Sequence, residues 1–299
     1  MKINELPTEI KKIIPSLEIS EKMYLLLWNR NNDFIKNNTL EYDVSALVNF
    51  LKKTESEAIK TIETKLPFFF HNNVSEIQKK LISFFESIYD IEDEICGNDY
   101  LDDETMQRIG INSNMRICEK IYYTYAACYH CYSKVNKVPS KYIAYSPCYR
   151  IETKQNKFRR NKFHMFEVVE FDKEEMLEKQ RYYYIYIMVK LLEAHGINNV
   201  RVIIANDSFV TDNKQRIAYQ MLTKSKVEIQ VFSKYLGDYI AVSSINMHYK
   251  HFIQKFEILC SSDYNSMCFG VGLERLREII IEEGNKKYFS KEKNYAEEK

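Results

Sequence analysis

The chain has 299 residues, 43 Lys and Arg against 42 Asp and Glu, and a hydrophobic fraction of 45%. That length fits one large domain or two, and 23 Tyr with 17 Phe supply more apolar surface than a disordered or low-complexity chain carries. A net charge of +1 excludes a protein built mainly to grip long nucleic acid, although local basic patches stay compatible with it. No apolar run reaches the roughly 18 residues of a membrane span, and the opening Met1-Lys-Ile-Asn-Glu-Leu-Pro7 lacks the apolar stretch of a signal peptide. A cytoplasmic protein without membrane contact is expected. The cysteines (Cys96, Cys118, Cys128, Cys131, Cys148, Cys260, Cys268) are odd in number and irregularly spaced, which fits reduced thiols better than a disulfide framework.

In chain order, residues 1–72 read as a helical region. Ser20 is placed to cap a helix running through Trp28, and Leu47, Val48, Phe50, Leu51, Ile59 and Ile62 give helical spacing from Val44 to Lys65. Pro67 ends it, and an amphipathic helix follows from Ser75 to Tyr89. The acidic stretch Ile91 to Glu104 reads as a solvated linker or turn region, and a metal role is disfavoured because its carboxylates lack the alternate-position pattern and central glycine of a calcium loop.

From Lys141 the pattern changes. Tyr142 to Ile151 and Phe163 to Phe171 are aromatic and β-branched, and the polar segment Thr153 to Lys162 between them makes a long antiparallel hairpin. Lys173 to His195 is a long helix stopped by Gly196. Strands are predicted at Val200 to Ala205, Lys226 to Phe232, Tyr239 to Ser244 and Phe252 to Leu259, with a closing helix from Leu273 to Glu283. Strands that follow one another with few intervening helices favour an α+β fold with an antiparallel sheet.

Two segments carry chemistry. Arg150 and Glu152 end the first hairpin strand, Arg159 and Arg160 lie in the loop, and Phe163, Met165 and Glu167 alternate along the return strand. They offer a cation for phosphate, a carboxylate for an exocyclic amine and a ring for a base, which an ATP site needs when no GxxxxGK[ST] loop exists. The second segment is Cys268-Phe-Gly-Val-Gly-Leu-Glu-Arg275. Only 7 residues are Gly, and two of them sit here, where a strand enters a helix with Arg275 one turn inside it.

Together these segments resemble the motif 2 and motif 3 regions of class II aminoacyl-tRNA synthetases, at Arg150, Glu152, Arg159 or Arg160, Phe163, Glu167, Gly270, Gly272 and Arg275. Asn206-Asp-Ser-Phe209, Lys226-Val-Glu228, Ser244-Ile-Asn-Met-His248 with His251-Phe252, and Met267 to Leu276 narrow the likeness. They resemble signature segments of the amino acid:[carrier protein] ligases, a family similar to the catalytic domain of atypical zinc-dependent seryl-tRNA synthetases. The resemblance covers roughly residues 120 to 285 and implies a class II synthetase-like catalytic domain over 73–299, acting as a homodimer.

The resemblance implies that Arg150 contacts the α-phosphate, Glu152 accepts from the adenine amine, and Phe163 and Arg275 cover the two adenine faces, Arg275 also reaching the γ-phosphate. Arg160, Gly270 and Gly272 complete the ATP contacts. Asn246, His248 and His251 fall on substrate-binding positions. Zn²⁺ is implied at Cys128, Glu167 and Cys268, with Cys131 the rival of Cys128 because Cys128-Tyr-His-Cys131 is a CxxC. Three protein ligands leave a position that an α-amino group can fill. Where seryl enzymes place a glutamate before two serines this chain has Ala241-Val-Ser-Ser244, so Glu228 or another group would hold Mg²⁺. The implied reaction is ATP-dependent activation of a small amino acid and its transfer to the phosphopantetheine thiol of a carrier protein. Neutral charge disfavours the first rival, tRNA aminoacylation of the seryl type, and an intact ATP site disfavours the second, a non-catalytic regulator. A docking face for an acidic carrier is expected at Lys154, Lys157, Arg159, Arg160 and Lys162.

Overall fold

The computed structural model describes residues 3–14, 20–30, 33–36, 39–69, 73–110, 115–207 and 214–282. Helices come first: α1 (Thr8–Ile13), α2 (Glu21–Asn29), α3 (Val44–Thr54), α4 (Ser56–Lys65) and α5 (Val74–Ile88). Ser20 caps α2 by accepting from the Met23 N–H. The single helix expected over 44–65 is two, because Glu55 leaves helical geometry at φ −129° and ψ 37°. Each half buries its own pair, Leu47 with Leu51 and Ile59 with Ile62.

The acidic stretch at 91–104 is not a linker. It holds β1 (Asp93–Cys96), β2 (Tyr100–Asp102) and the start of α6 (Asp103–Ile109). Edge pairing explains the misreading: in β1 only Ile95 is buried, so the other positions are free to be polar. β3 (Arg116–Cys118) and β4 (Ile121–Tyr123) join β2 in a three-stranded sheet of order β2-β4-β3, and a 3₁₀ turn, Ala127–His130, carries Cys128.

The main elements follow: β5 (Ser140–Tyr149), β6 (Lys162–Lys173), α7 (Glu174–Ala194), β7 (Val200–Ile204), α8 (Lys214–Thr223), β8 (Lys226–Ser233), β9 (Asp238–Tyr249), α9 (His251–Lys255), β10 (Tyr264–Gly272) and a helix over residues 273–282, α10. Of the predicted closing helix, Glu283 lies outside the described residues. Gly196, with φ +79°, follows α7 in the left-handed conformation expected of it. The strand predicted at 252–259 is instead α9 and a turn. Tyr249 (φ +50°) breaks β9, and Phe252 and Phe256, four apart, share the helical face that packs on Tyr132.

The sheet has seven strands in the order β1-β5-β6-β10-β9-β8-β7, antiparallel except for the parallel β1–β5 pair. This is an α+β fold with a mostly antiparallel sheet flanked by helices. One face rests on α7 and α5 through Phe166, Val168, Phe269 and Val271, with Tyr184 stacked on Phe269 at 4.7 Å. The N-terminal helices join the same core through Trp28, Leu47 and Leu51. A polar tie adds to that packing: Lys224, fully buried, donates to the carbonyls of Trp28 and Arg30, and Arg181 donates to the Tyr42 hydroxyl at 3.4 Å. A smaller core, with Ile95, Cys128, Tyr132, Val169 and Phe252, covers part of the opposite face. No helix among the described residues is long and apolar enough to cross a membrane.

Candidate functional site

Strand register assembles the site. Glu167 pairs with Gly270, Gly270 with Ser244, and Ser244 with Glu228, forming one row across four strands. The next row runs Val169, Cys268, Asn246, Lys226. Residues two apart on a strand share a face, so both rows lie opposite the buried Phe166, Phe269 and Ile245.

Two cavities open on this face. The first is lined by all eight residues expected to contact ATP: Arg150, Glu152, Arg160, Phe163, Glu228, Gly270, Gly272 and Arg275. Arg150 and Glu152, expected to end the strand, instead follow its end at Tyr149. Asn161 replaces the missing ladder: its carbonyl accepts from Arg150 N–H at 2.9 Å and its side chain from Glu152 N–H at 3.1 Å. The Arg150 guanidinium lies 5.0 Å from the Phe163 ring centroid. Arg275 is anchored by donating to the Phe158 and Ala241 carbonyls at 2.9 and 3.1 Å. Burial, with Arg150 and Arg159 close by, holds the Arg275 guanidinium down to about 10, and burial lowers Arg150 likewise. Two desolvated guanidiniums facing one cleft make a strong anion site. A Cβ at Gly270 would be a tight fit, 3.1 Å from Met165 Cε and 3.4 Å from Glu167 Cγ, so a larger residue would push on both side chains.

The second cavity is lined by Cys128, Glu167, Asn246, His248 and Cys268, together with Asp207 and Arg216. Cys128, His248 and Cys268 present donor atoms within 4.8 Å of one another. His248 Nε2 is 3.2 Å from Cys268 Sγ, and Asn246 Nδ2 is 3.6 Å from the same sulfur. Glu167 accepts from Ala127 N–H at 2.9 Å and faces the same cavity as both thiols. Cys131 is packed in the smaller core, and neither it nor the expected ligand Glu167 is in the three-donor cluster, where His248 takes the third place.

The donor chemistry suits a soft-to-borderline divalent cation. Burial raises the Cys128 thiol, with Cys268 and Glu167 adding to it, and burial also raises Glu167. At Cys268 the bond from Cys128 acts downward and is the largest single influence, but burial and the Glu167 carboxylate together leave the thiol raised. Burial holds the His248 imidazole at about 3, so it is the neutral ring a metal requires. Buried acids raised together, beside a neutral imidazole, are what a dication would return to their ionised, ligating forms.

Other expectations fall elsewhere. His251 lines neither cavity; its Nε2 lies 3.4 Å from the Ile109 carbonyl and its ring stands against Phe252. His130 packs against Gly97, and His164 is bonded to Glu274 at 2.7 Å. Four of the expected docking cations are paired within the chain: Lys157 with Glu282, Arg159 with Glu152, Arg160 with Glu278 and Lys162 with Asp99. Lys226, Asp207 and Arg216 line cavities without having been singled out for a role. The spacing of Lys226 two residues before Glu228 was the available signal.

An antiparallel sheet with a cation-lined nucleotide-sized cleft is the architecture of class II synthetase cores. Residues 119–284 match the tRNA synthetase class II core domain (G, H, P, S and T), more than half of the chain, and the chain belongs to that family. Comparison with curated proteins gives no match. Among solved structures it is similar to the cytoplasmic serine-tRNA ligase of Naegleria fowleri in complex with AMP, with TM-score 0.53 and 13% identity over 71% of this chain and 54% of that one. It is also similar to M. kandleri SerRS, solved with A. aeolicus tRNASec, with TM-score 0.45 and 16% identity over 81% of this chain and 52% of that one. The chain thus spans about half the length of either structure.

Proposed function

We propose that the chain activates a small amino acid (glycine, alanine or serine) with ATP and passes the acyl group to the phosphopantetheine thiol of a carrier protein. One observation carries the reading: the two cavities share a wall formed by Arg150, Met165, Lys226, Ser244 and Gly270. A carboxylate entering from the thiol-lined side meets a phosphate entering from the arginine-lined side there. The carboxylate oxygen bonds to the α-phosphorus, the bond to the β-phosphate oxygen breaks, and pyrophosphate leaves. The thiol then attacks the acyl carbon and AMP departs.

Such a reaction needs positioning and charge neutralisation rather than a covalent catalyst. Arg150 orients the α-phosphate and Arg275 the distal phosphates, while Glu152 and Phe163 hold the adenine. Glu228 is the carboxylate placed to carry Mg²⁺. Cys128 and Cys268 would hold Zn²⁺, with His248 in the donor cluster for the third position and Glu167 lining the same cavity; when bound, the metal would supply a Lewis acid for a free α-amino group. Asn246 borders that position. A homodimer and the 1–72 and 73–299 division complete the reading as proposals.

Amino-acid-dependent ATP–pyrophosphate exchange across all the amino acids, followed by acylation of a phosphopantetheinylated carrier and of tRNA, tests it. Exchange with one or two small amino acids and a labelled carrier is expected. Labelled tRNA would replace the acceptor assignment, and no exchange with any amino acid would leave a non-catalytic regulator.

A further inference from the structure

Lys226 opens β8, in the same row as Asn246 and Cys268 and two residues before Glu228 on the same face. Its side chain is 4% exposed, and Nζ lies 2.7 Å from Asp207 Oδ1 and 3.4 Å from Glu228 Oε1. The Asn206 carbonyl is a further 3.4 Å acceptor. Lys226 lines both cavities, whereas Asp207 lines only the thiol-lined one and Glu228 only the arginine-lined one. The ammonium is therefore held by one carboxylate from each side of the shared wall.

Burying a lysine is costly unless it is paired, and an apolar residue would fill a structural position here with less penalty. Placement on the wall gives the charge a use. Bringing a carboxylate against an α-phosphate sets two anions together in a desolvated space, where their repulsion is poorly screened. Arg275 lines only the arginine-lined cavity and is turned to the Phe158 and Ala241 carbonyls, so among the described residues Arg150 and Lys226 are the cations that border both.

Resting on the proposed function, we infer that Lys226 is a catalytic residue of adenylate formation: its ammonium contacts the carboxylate and α-phosphate oxygens at the junction, with Asp207 and Glu228 as its holders before substrates arrive. Anionic acyl sulfamates, the glycyl-, alanyl- and seryl-sulfamoyl adenosines, reproduce that junction, whereas AMP and ATP each supply only one side of it.

The test measures binding of these three analogues, AMP and ATP by calorimetry, together with exchange kinetics, for wild type, Lys226→Met and Lys226→Arg. Lys226→Met should lower kcat for exchange about 100-fold while KM values for ATP and amino acid move little, as expected for a charge used mainly in the transition state. It should weaken the best analogue about tenfold or more and leave AMP and ATP unchanged, with Lys226→Arg recovering part of both losses. If Lys226→Met fails to fold, Lys226→Gln takes the same measurements. Unchanged analogue affinity and kcat, or an equal loss for AMP, ATP and analogue, would overturn the assignment. A wild-type chain that binds none of the analogues and exchanges no amino acid overturns the proposed function itself.

Discussion

The two faces of β6, β10 and β9 are made from alternating residues of the same three segments, yet their chemistry is opposite. On one face Phe166, Val168, Phe269, Val271 and Ile245 are sealed against helices. On the other, Glu167, Cys268, Gly270, Ser244 and Asn246 line cavities. A period of two residues lets one strand supply stability and reactivity without either compromising the other. Neighbours in sequence such as Cys268 and Phe269 should therefore fail in different ways when altered.

The largest expected separation comes from Arg150→Ala, which should lower pyrophosphate exchange by about a hundred- to a thousandfold, as loss of a transition-state charge contact does, with the thermal midpoint nearly unchanged. Near-normal exchange would remove Arg150 from its role. Cys268→Ala should drop zinc, measured by atomic absorption on the purified protein, from about one per chain to a trace; full occupancy in that variant would break the ligand assignment. Paired with it, Glu167→Gln and His248→Ala ask which residue shares the metal. Phe269→Ala, one residue away, should cost about 3–5 kcal/mol in denaturant unfolding while the folded fraction keeps its zinc, and a variant that lost the metal instead would show the faces to be coupled. The smallest effect concerns His164, whose imidazole is raised by its bond to Glu274. A raised folded value means its stabilising contribution is complete below the unfolded pKa of about 6.5 and is lost as pH climbs through the folded one. The Tm difference between wild type and His164→Asn should shrink from pH 5.5 towards 9; a flat difference would refute the linkage.

Much of this was legible where chemistry lies close together along the chain. The hairpin from Arg150 to Glu167 and the run from Cys268 to Arg275 could be read as site elements because short motifs hold them, and the strands at 140–149, 162–173 and 226–233 showed in their aromatic and β-branched composition. Legibility failed where pairing partners are remote. β1 hides in acidic sequence because it needs a single buried residue, Ile95. α9 reads as a strand in sequence because Phe252, Ile253 and Phe256 are apolar in either period, and only the packing of Phe252 and Phe256 on Tyr132 decides it. The placement of His248 on a thiol, and of Lys226 between Asp207 and Glu228, depends on register across β8, β9 and β10, which no local pattern states.

The tie between Lys224, Arg181 and the N-terminal helices bears on how the protein can be divided. Burial, with Arg181 beside it, holds the Lys224 ammonium down to about 7, and its acceptors are the Trp28 and Arg30 carbonyls at the end of α2. A chain begun at residue 73 would strip those carbonyls from Lys224 and the Tyr42 hydroxyl from Arg181, which keeps its Glu178 partner, and would leave the Lys224 ammonium without these acceptors beneath a newly bared apolar surface. Fragments 1–72 and 73–299, produced separately, should then behave as complementary halves that are poorly soluble apart and recover one cooperative unfolding transition when mixed.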